Sequence, residues 1–192
     1  MTSSSVSAWE EKDGWRMKSA VRGVAVAAAV CLLVAGESGA RRGQALNGGI
    51  QTMGTLGNSH VKVGDIWWVA FPELRNSSSV DIVLTGVEMT HVPAGLKVLE
   101  YGAFDRSDTE GVPLLAREGA SQAPRFDRLT NYVREEIRVK AGKTGDIFYM
   151  VRLEATGPIK GNLQGCRYEY QQGSARYEQT LGCDTALRLE KD

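Results

Sequence analysis

Two cysteines near the C-terminus enclose a segment that has the pattern of one β-hairpin. A two-residue turn at Ser174-Ala175 would place Cys166 opposite Cys183 and would collect apolar and aromatic side chains on one face of the hairpin. The other face would then be polar, as a half-buried hairpin requires. The two arms that follow this pattern are residues 165–172 (GCRYEYQQ) and 176–183 (RYEQTLGC).

This register predicts a structural disulfide. Cys166 and Cys183 would form a non-hydrogen-bonded pair, with Cα atoms about 4.5 Å apart, and a disulfide can bridge that distance. The alternative is a redox or metal-binding thiol pair, but the sequence contains no C-x-x-C motif. We therefore expect a cross-link that stabilises the fold by about 3 kcal/mol.

The N-terminal segment 1–40 has the pattern of a secretory signal. Lys18 and Arg22 precede the uncharged run 24–35 (VAVAAAVCLLVA), and the small residues 38–40 (SGA) follow it. A transmembrane helix needs about 20 apolar residues, so this run is too short to be one. A buried core helix is the alternative, which the basic flank and the small-residue exit disfavour. We expect cleavage near Arg41, and a protein secreted or held in the cell envelope without a transmembrane anchor.

Two further expectations concern the same segment. Residues 1–16 add nothing that a signal needs, because Met17-Lys18 and the apolar run already form one, so we expect translation to start at Met17. Cleavage would remove Cys31 and leave two cysteines in an oxidising compartment, with no odd thiol.

Beyond the signal, short β-type runs alternate with turns, and no run has a 3.6-residue apolar period. Residues 133–140 alternate most clearly, with Val133, Ile137 and Val139 on one face and charged residues on the other. Residues 41–60 are rich in Gly and Asn and predict a flexible lead-in with one short strand around Ile50 to Met53. The other predicted strands are residues 65–71, 80–90, 97–104, 147–155, the two hairpin arms and 185–189.

Seven or eight short antiparallel strands at this spacing predict a two-sheet sandwich. Residues 74–77 (LRNS) followed by 80–84 (VDIVL) resemble the strand, Asn-turn, strand unit of bacterial secreted immunoglobulin-like modules, and so do residues 139–144 (VKAGKT). The resemblance covers about a third of the mature chain and implies a sandwich, although a fold does not fix a function. We expect one all-β, antiparallel, immunoglobulin-like β-sandwich over residues 61–192, with one C-terminal hairpin disulfide.

Charge and motif content remove several function classes. Lys plus Arg and Asp plus Glu number 23 each, and residues 1–40 contain four of each, so the mature chain is also neutral. Without a basic surface, nucleic-acid binding is not expected. G-x-S-x-G, Walker, H-E-x-x-H and G-x-G-x-x-G motifs are absent from the sequence. Scattered carboxylates do not by themselves indicate a glycosidase, so we expect neither an enzyme nor a cofactor.

One metal site is an alternative to that expectation. Met89 and His91 share a face of a strand, and a thioether with an imidazole suits copper. His60 and Met53 or Met150 could complete the ligand set. The competing interpretation is that Met89 fills the core while His91 begins the next turn, and we expect no metal.

Adjacent tryptophans give a second candidate site. Trp67 and Trp68 point to opposite faces of one strand, so one of them faces the core and the other is exposed or covered by a loop. An exposed indole near Tyr168, Tyr170 or Tyr177 would suit stacking on a sugar ring.

The long charged segment 105–131 gives a third candidate, because loops of this length are often functional. The tripeptide Phe-Asp-Arg occurs at both ends of it, so Asp105, Arg106, Asp127 and Arg128 could form a charged rim around a binding surface. The alternative is coincidence with solvated ion pairs.

These observations favour a secreted or cell-envelope, non-catalytic interaction or structural module. Its partner is not identified by the sequence; a cell-wall glycan or another envelope protein would fit. The second hypothesis is a carbohydrate-binding module that uses exposed Trp or Tyr side chains. The third is a secreted enzyme or a copper-binding protein.

Overall fold

The period-two alternation of the sequence corresponds to strands that pack as two sheets. The computed structural model describes residues 39–190, so almost all of the predicted signal segment lies outside the described residues. In residues 39–190 no helix is long and apolar enough to cross a membrane. The strands are β1 (Arg41–Arg42), β2 (Leu46–Asn47), β3 (Thr55–Val61), β4 (Ile66–Ala70), β5 (Arg75–Asn76), β6 (Ile82–His91), β7 (Leu96–Asp105), β8 (Leu115–Arg117), β9 (Ile137–Val139), β10 (Ile147–Ala155), β11 (Leu163–Gln172) and β12 (Ala175–Leu189). Short 3-10 helices span Gly49–Thr52, Arg106–Thr109 and Phe126–Arg128.

The first sheet has the order β1-β12-β11-β6-β9, and β3 also pairs with β12. The second sheet has the order β7-β10-β4-β8, and β2 pairs separately with β5. The two sheets share one apolar core: Tyr168 of the first sheet lies edge-on to Tyr149 of the second, with ring centroids 6.2 Å apart. The predicted all-β sandwich with a hairpin disulfide is therefore confirmed. Its ladders are antiparallel except at one edge, where β1 and β3 run parallel to β12.

An asparagine turn lies at the place where the sequence resembles immunoglobulin-like modules. The side chain of Asn76 is fully buried and donates to the carbonyls of Val80 and Val139, at 2.8 and 3.1 Å. Its Oδ1 accepts from the backbone N–H and the hydroxyl of Ser78. Because all its polar atoms are paired, this buried amide can fix the approach of β5 to β6 and β9 without a desolvation penalty.

The segment 41–60 is more regular than its glycine content predicts. Residues 50–53 form no strand, and most of them belong to a 3-10 helix. Of the strands around this helix, β1 and β3 pair with β12 in the C-terminal half of the chain, and β2 pairs with β5. The side-chain amide of Gln179 donates to the carbonyl of Leu46 and accepts from its N–H, as a neighbouring strand would. Tyr170 Oη also accepts the N–H of Ala45 at 3.2 Å. These contacts are long-range, so local composition could not indicate them.

Two predicted elements have different bounds in the structure. Only Ile137–Val139 of the alternating run 133–140 forms a strand, with Ile137 and Val139 buried and Arg138 exposed. The segment 105–131 is not a plain loop, because β8 pairs with β4 and adds a fourth strand to the second sheet. The rest of that segment covers the outer face of this sheet, where Phe126 packs on side chains of the strands. Together they form a second apolar cluster: Trp68, Ala70, Phe104, Ala116, Phe126, Phe148 and Met150.

The hairpin turn lies one residue earlier than predicted. Gly173 and Ser174 form the turn, with Gly173 at a φ of +59° that glycine adopts without steric cost. The residue opposite Cys166 is consequently Leu181, and Cys183 is its diagonal neighbour on the same face. The disulfide joins this diagonal pair, whose Cα atoms lie 5.9 Å apart. The predicted disulfide is therefore confirmed, and the predicted register was wrong by two residues.

Candidate functional site

A groove of about 580 Å³ lies where the edge strand β3 of the first sheet faces the edge strand β8 of the second. We call it the intersheet groove. Its volume falls within the roughly 300–1,000 Å³ range of ligand sites in proteins. The residues that line it are Asn58, His60, Lys62, Trp67, Pro113, Leu115, Ala116, Arg117, Ala120, Gln122, Ala123, Pro124 and Glu190.

One wall of the intersheet groove is built by a β-bulge in β3. Asn58 pairs with Leu187, and the next pair is Val61 with Leu189, so two residues of β3 oppose one residue of β12. The backbone N–H of His60, inside the bulge, donates to Asn58 Oδ1 at 2.8 Å. Bulges occur at sheet edges and beside sites, where they redirect side chains. In this protein the bulge leaves three polar side chains along the groove: Asn58, His60 and Lys62.

The charges at the intersheet groove are balanced in pairs. Glu190 follows β12, and its carboxylate lies 3.4 Å from Lys62 Nζ and 3.6 Å from His60 Nδ1. On the opposite wall, the guanidinium of Arg117 lies 3.9 Å from the carboxylate of Asp65. The charges of Lys62 and Arg117 are thus matched by those of Glu190 and Asp65.

Trp67 forms the floor of the groove and belongs to the core between the sheets. The whole residue is 6 % exposed, and its indole N–H has no hydrogen-bond acceptor within residues 39–190. A buried donor without an acceptor is uncommon in proteins, because its desolvation is not compensated.

Trp68 points to the opposite face and lies beneath the segment 105–131. It is 5 % exposed, its ring centroid lies 4.7 Å from that of Phe126, and its indole N–H donates to Glu118 at 3.2 Å. Neither indole is therefore exposed for sugar stacking, and Tyr168 and Tyr170 are buried as well. Of the two alternatives for the second tryptophan, the structure shows the covered one, because residues 105–131 lie over the face that the alternation of the strand left open. Tyr177 is half-buried and stacks on Tyr170.

Several carboxylates converge above Trp68, but they are held by arginines. Arg152 donates to both oxygens of Glu118 at 2.7 and 2.8 Å and to Glu100 at 3.2 Å. These bonds lower the pKa of Glu118, and a similar pair with Arg125 lowers the pKa of Asp127. A glycosidase general acid needs the opposite shift, a raised pKa. The contacts above Trp68 thus fit a structural ion-pair network.

The two Phe-Asp-Arg tripeptides meet through their aromatic rings. The rings of Phe104 and Phe126 lie 5.1 Å apart in the apolar cluster beneath the segment. Their charged neighbours bond elsewhere: Asp105 accepts from Ser107, which lowers its pKa, and Arg106 lies 2.8 Å from Glu73.

The second tripeptide behaves in the same way. Asp127 pairs with Arg125, two residues before it, and Arg128 is exposed. No direct contact therefore joins the two tripeptides into a common charged rim of Asp105, Arg106, Asp127 and Arg128.

The candidate copper ligands do not lie close together either. Met89 is buried in the core between the sheets, whereas His91 is exposed at the end of β6. Met150 lies in the apolar cluster on the outer face of the second sheet, and Met53 is 84 % exposed. Within the described part of the chain, no three His, Cys, Asp or Glu side chains are grouped to hold a metal ion.

Most of the groove was not predictable from the sequence. Trp67 was a candidate, but Arg117, Gln122 and Glu190 meet it only because β3 runs beside β12 and β8 beside β4. One local signal was present: Asn58, His60 and Lys62 alternate in a segment that otherwise looks like a flexible lead-in. No family model matches this chain, and no curated protein matches it.

Proposed function

We propose that this chain is an exported, non-catalytic binding module of the cell envelope or extracellular space, and that it binds its partner in the intersheet groove. The observation that carries the proposal is the groove itself, which joins polar side chains from two sheet edges above a tryptophan floor. The disulfide supports export, because disulfides persist mainly in oxidising compartments. The signal pattern in residues 1–40 agrees with this location.

A rigid frame also supports binding in the groove. Asn58 and His60 on one wall belong to β3, residues 115–117 on the other belong to β8, and the floor is part of the main core. The other lining positions, among them those in residues 120–124, lie outside the strands. Sites on rigid elements hold their side chains in a fixed arrangement, which lowers the entropy lost on binding.

The experiment is co-sedimentation of the purified protein with isolated cell envelopes. Ala120→Arg places a long charged side chain on the groove wall, and Ser174→Arg makes the same change in the hairpin turn at the other end of β12. We expect Ala120→Arg to reduce the bound fraction at least tenfold and Ser174→Arg to leave it unchanged. Equal binding of both variants, or no binding of the unmodified protein, would contradict the proposal.

A further inference from the structure

The polar and charged side chains of the intersheet groove restrict the class of ligand that it can accept. Lys62 with Glu190 and Arg117 with Asp65 already form opposite-charge pairs. A highly charged ligand would have to break these pairs or approach without compensation, which costs binding energy. The groove therefore favours a ligand without net charge.

Both walls carry groups that can donate and accept hydrogen bonds. Asn58 and Gln122 bring side-chain amides from opposite sides, and an amide both donates and accepts. The lining of the groove also includes short apolar surfaces from Leu115, Ala116 and Ala123. A sugar unit has this same combination, since its hydroxyls donate and accept while its C–H faces are apolar.

An added peptide strand is the competing occupant, and the edge of β3 disfavours it. A peptide that extends a sheet needs a row of free backbone groups on the edge strand. In β3 the bulge interrupts that row, and the N–H of His60 is taken by the side chain of Asn58. Bulges of this kind are one way in which proteins block strand addition.

We propose that the intersheet groove binds an uncharged oligosaccharide, with Asn58 and Gln122 hydrogen-bonding its hydroxyls from the two walls. This inference rests on the proposed binding function and names the ligand class of the same groove. It differs from stacking on an exposed aromatic ring, because the recognition comes from the polar walls and Trp67 contributes only the floor.

The test is calorimetric titration of the purified protein with four probes. Two are uncharged tetrasaccharides, cellotetraose and tetra-N-acetylchitotetraose; the third is a sulfated heparin tetrasaccharide, and the fourth a hexapeptide of alternating threonine and valine with acetylated and amidated termini. We expect binding of at least one uncharged tetrasaccharide and no binding of the other two probes. Binding of neither uncharged sugar, or of the sulfated sugar or the peptide instead, would overturn the inference.

Two variants locate the site. Gln122→Ala and Asn58→Ala each remove one hydrogen-bonding side chain, so each should weaken sugar binding about three- to tenfold. Gln171→Ala, on the hairpin, is the control and should leave affinity unchanged. Gln122 is exposed and outside the strands, so its variant tests the groove even if Asn58→Ala disturbs the bulge. Sugar binding that neither variant alters would place the ligand elsewhere and overturn the inference.

This experiment separates the inference from the proposed function. Groove-dependent binding to envelopes with no binding of either uncharged sugar would retain the binding function and reject the sugar as its ligand. Envelope binding that Ala120→Arg does not reduce would reject both the proposed function and the sugar as its ligand.

Discussion

Cys166 is bonded to Cys183 although the residue opposite Cys166 in the hairpin ladder is Leu181. The disulfide joins a diagonal pair because the register of the ladder between β11 and β12 shifts between Gln164 and Cys166, at Gly165. Gly165 has a φ of +74°, and a Cβ there would lie 2.0 Å from the hydroxyl oxygen of Thr90, so only glycine fits this bulge. The diagonal disulfide thus connects the regular part of the hairpin to its shifted base.

Removal of the disulfide should destabilise the protein without changing its fold. The cross-link spans 17 residues, and the chain-entropy model predicts a loss of about 3 kcal/mol of unfolding free energy for Cys166→Ser. Urea denaturation of the variant and of the oxidised protein would measure this difference. Mass spectrometry of the unreduced protein should detect no free thiol on Cys166 or Cys183, and alkylation of both would contradict the assignment.

The face assignment of the core strands gives a second prediction. Ile137 and Val151 are 8 % and 0 % exposed, so Ile137→Ala and Val151→Ala should each cost about 2–4 kcal/mol through lost burial and a cavity. Arg138 is exposed and lies 3.7 Å from Asp81, so Arg138→Ala should change stability by about 0.5 kcal/mol or less. Equal costs for all three variants in denaturant melts would refute the assignment.

Sequence reasoning succeeded where the pattern was local and failed where a long-range pairing decided the structure. The buried face of the hairpin was predicted correctly even though its register was not, because a shift of two residues keeps each side chain on its face. Residues 147–155 were predicted with their observed bounds. The run 133–140 alternates over eight residues, but only Ile137–Val139 has a partner strand, β6.

The intersheet groove likewise combines a locally predictable residue with others that only long-range pairing brings together. The sequence singled out Trp67 and its alternation with Trp68. It could not show that both indoles are covered, because Trp68 is enclosed by Phe126, 58 residues away, and Trp67 by the opposing sheet. The polar walls require the parallel pairing of β3 with β12, which no local pattern indicates.

The N-terminal segment gives a third prediction, at Gly43. A Cβ at this position would lie 2.0 Å from Tyr170 Oη and 2.7 Å from its ring carbon Cζ, and this ring is buried and stacked on Tyr177. Gly43→Ala should therefore separate this segment from the hairpin and cost about 1–3 kcal/mol. Hydrogen exchange at the amide of Ala45, which donates to Tyr170, should become faster.

Gly54→Ala is the matched control for Gly43→Ala. Its added methyl group would meet no atom within 4 Å, and its φ is not in the left-handed region. It should leave the exchange rate at Ala45 unchanged. Similar exchange at Ala45 in both variants would show that the segment is not held by the tyrosine contact.

The ion pairs of Arg152 with Glu118 and Glu100, above Trp68, predict that the stability of the fold depends on pH. Hydrogen bonds from Arg152 hold the pKa of Glu118 below its ordinary value of 4.5. Because the folded pKa is lower than the unfolded one, the carboxylate stabilises the fold above pH 4.5, and this contribution is lost as the pH falls through the folded pKa. Glu118 is 42 % exposed, so solvent screening limits the effect to about 1 kcal/mol.

Melting temperatures of the unmodified protein and of Glu118→Gln, measured between pH 7 and pH 3, would test this account. The variant should melt lower at neutral pH, and the difference should shrink as the pH falls below 4.5. A difference that stays constant over this range would show that the charge of Glu118 does not contribute.

The central claim, binding in the intersheet groove, is tested most directly by the indole N–H signals of Trp67 and Trp68 in ¹⁵N-resolved spectra, assigned with Trp→Phe variants. The two residues are adjacent in sequence, but Trp67 lines the groove while Trp68 lies on the other face of β4, bonded to Glu118. Titration with soluble cell-envelope fragments should shift the Trp67 signal in a saturable manner and leave the Trp68 signal in place. A saturable shift of Trp68 alone, or no shift of either signal, would contradict binding in the groove.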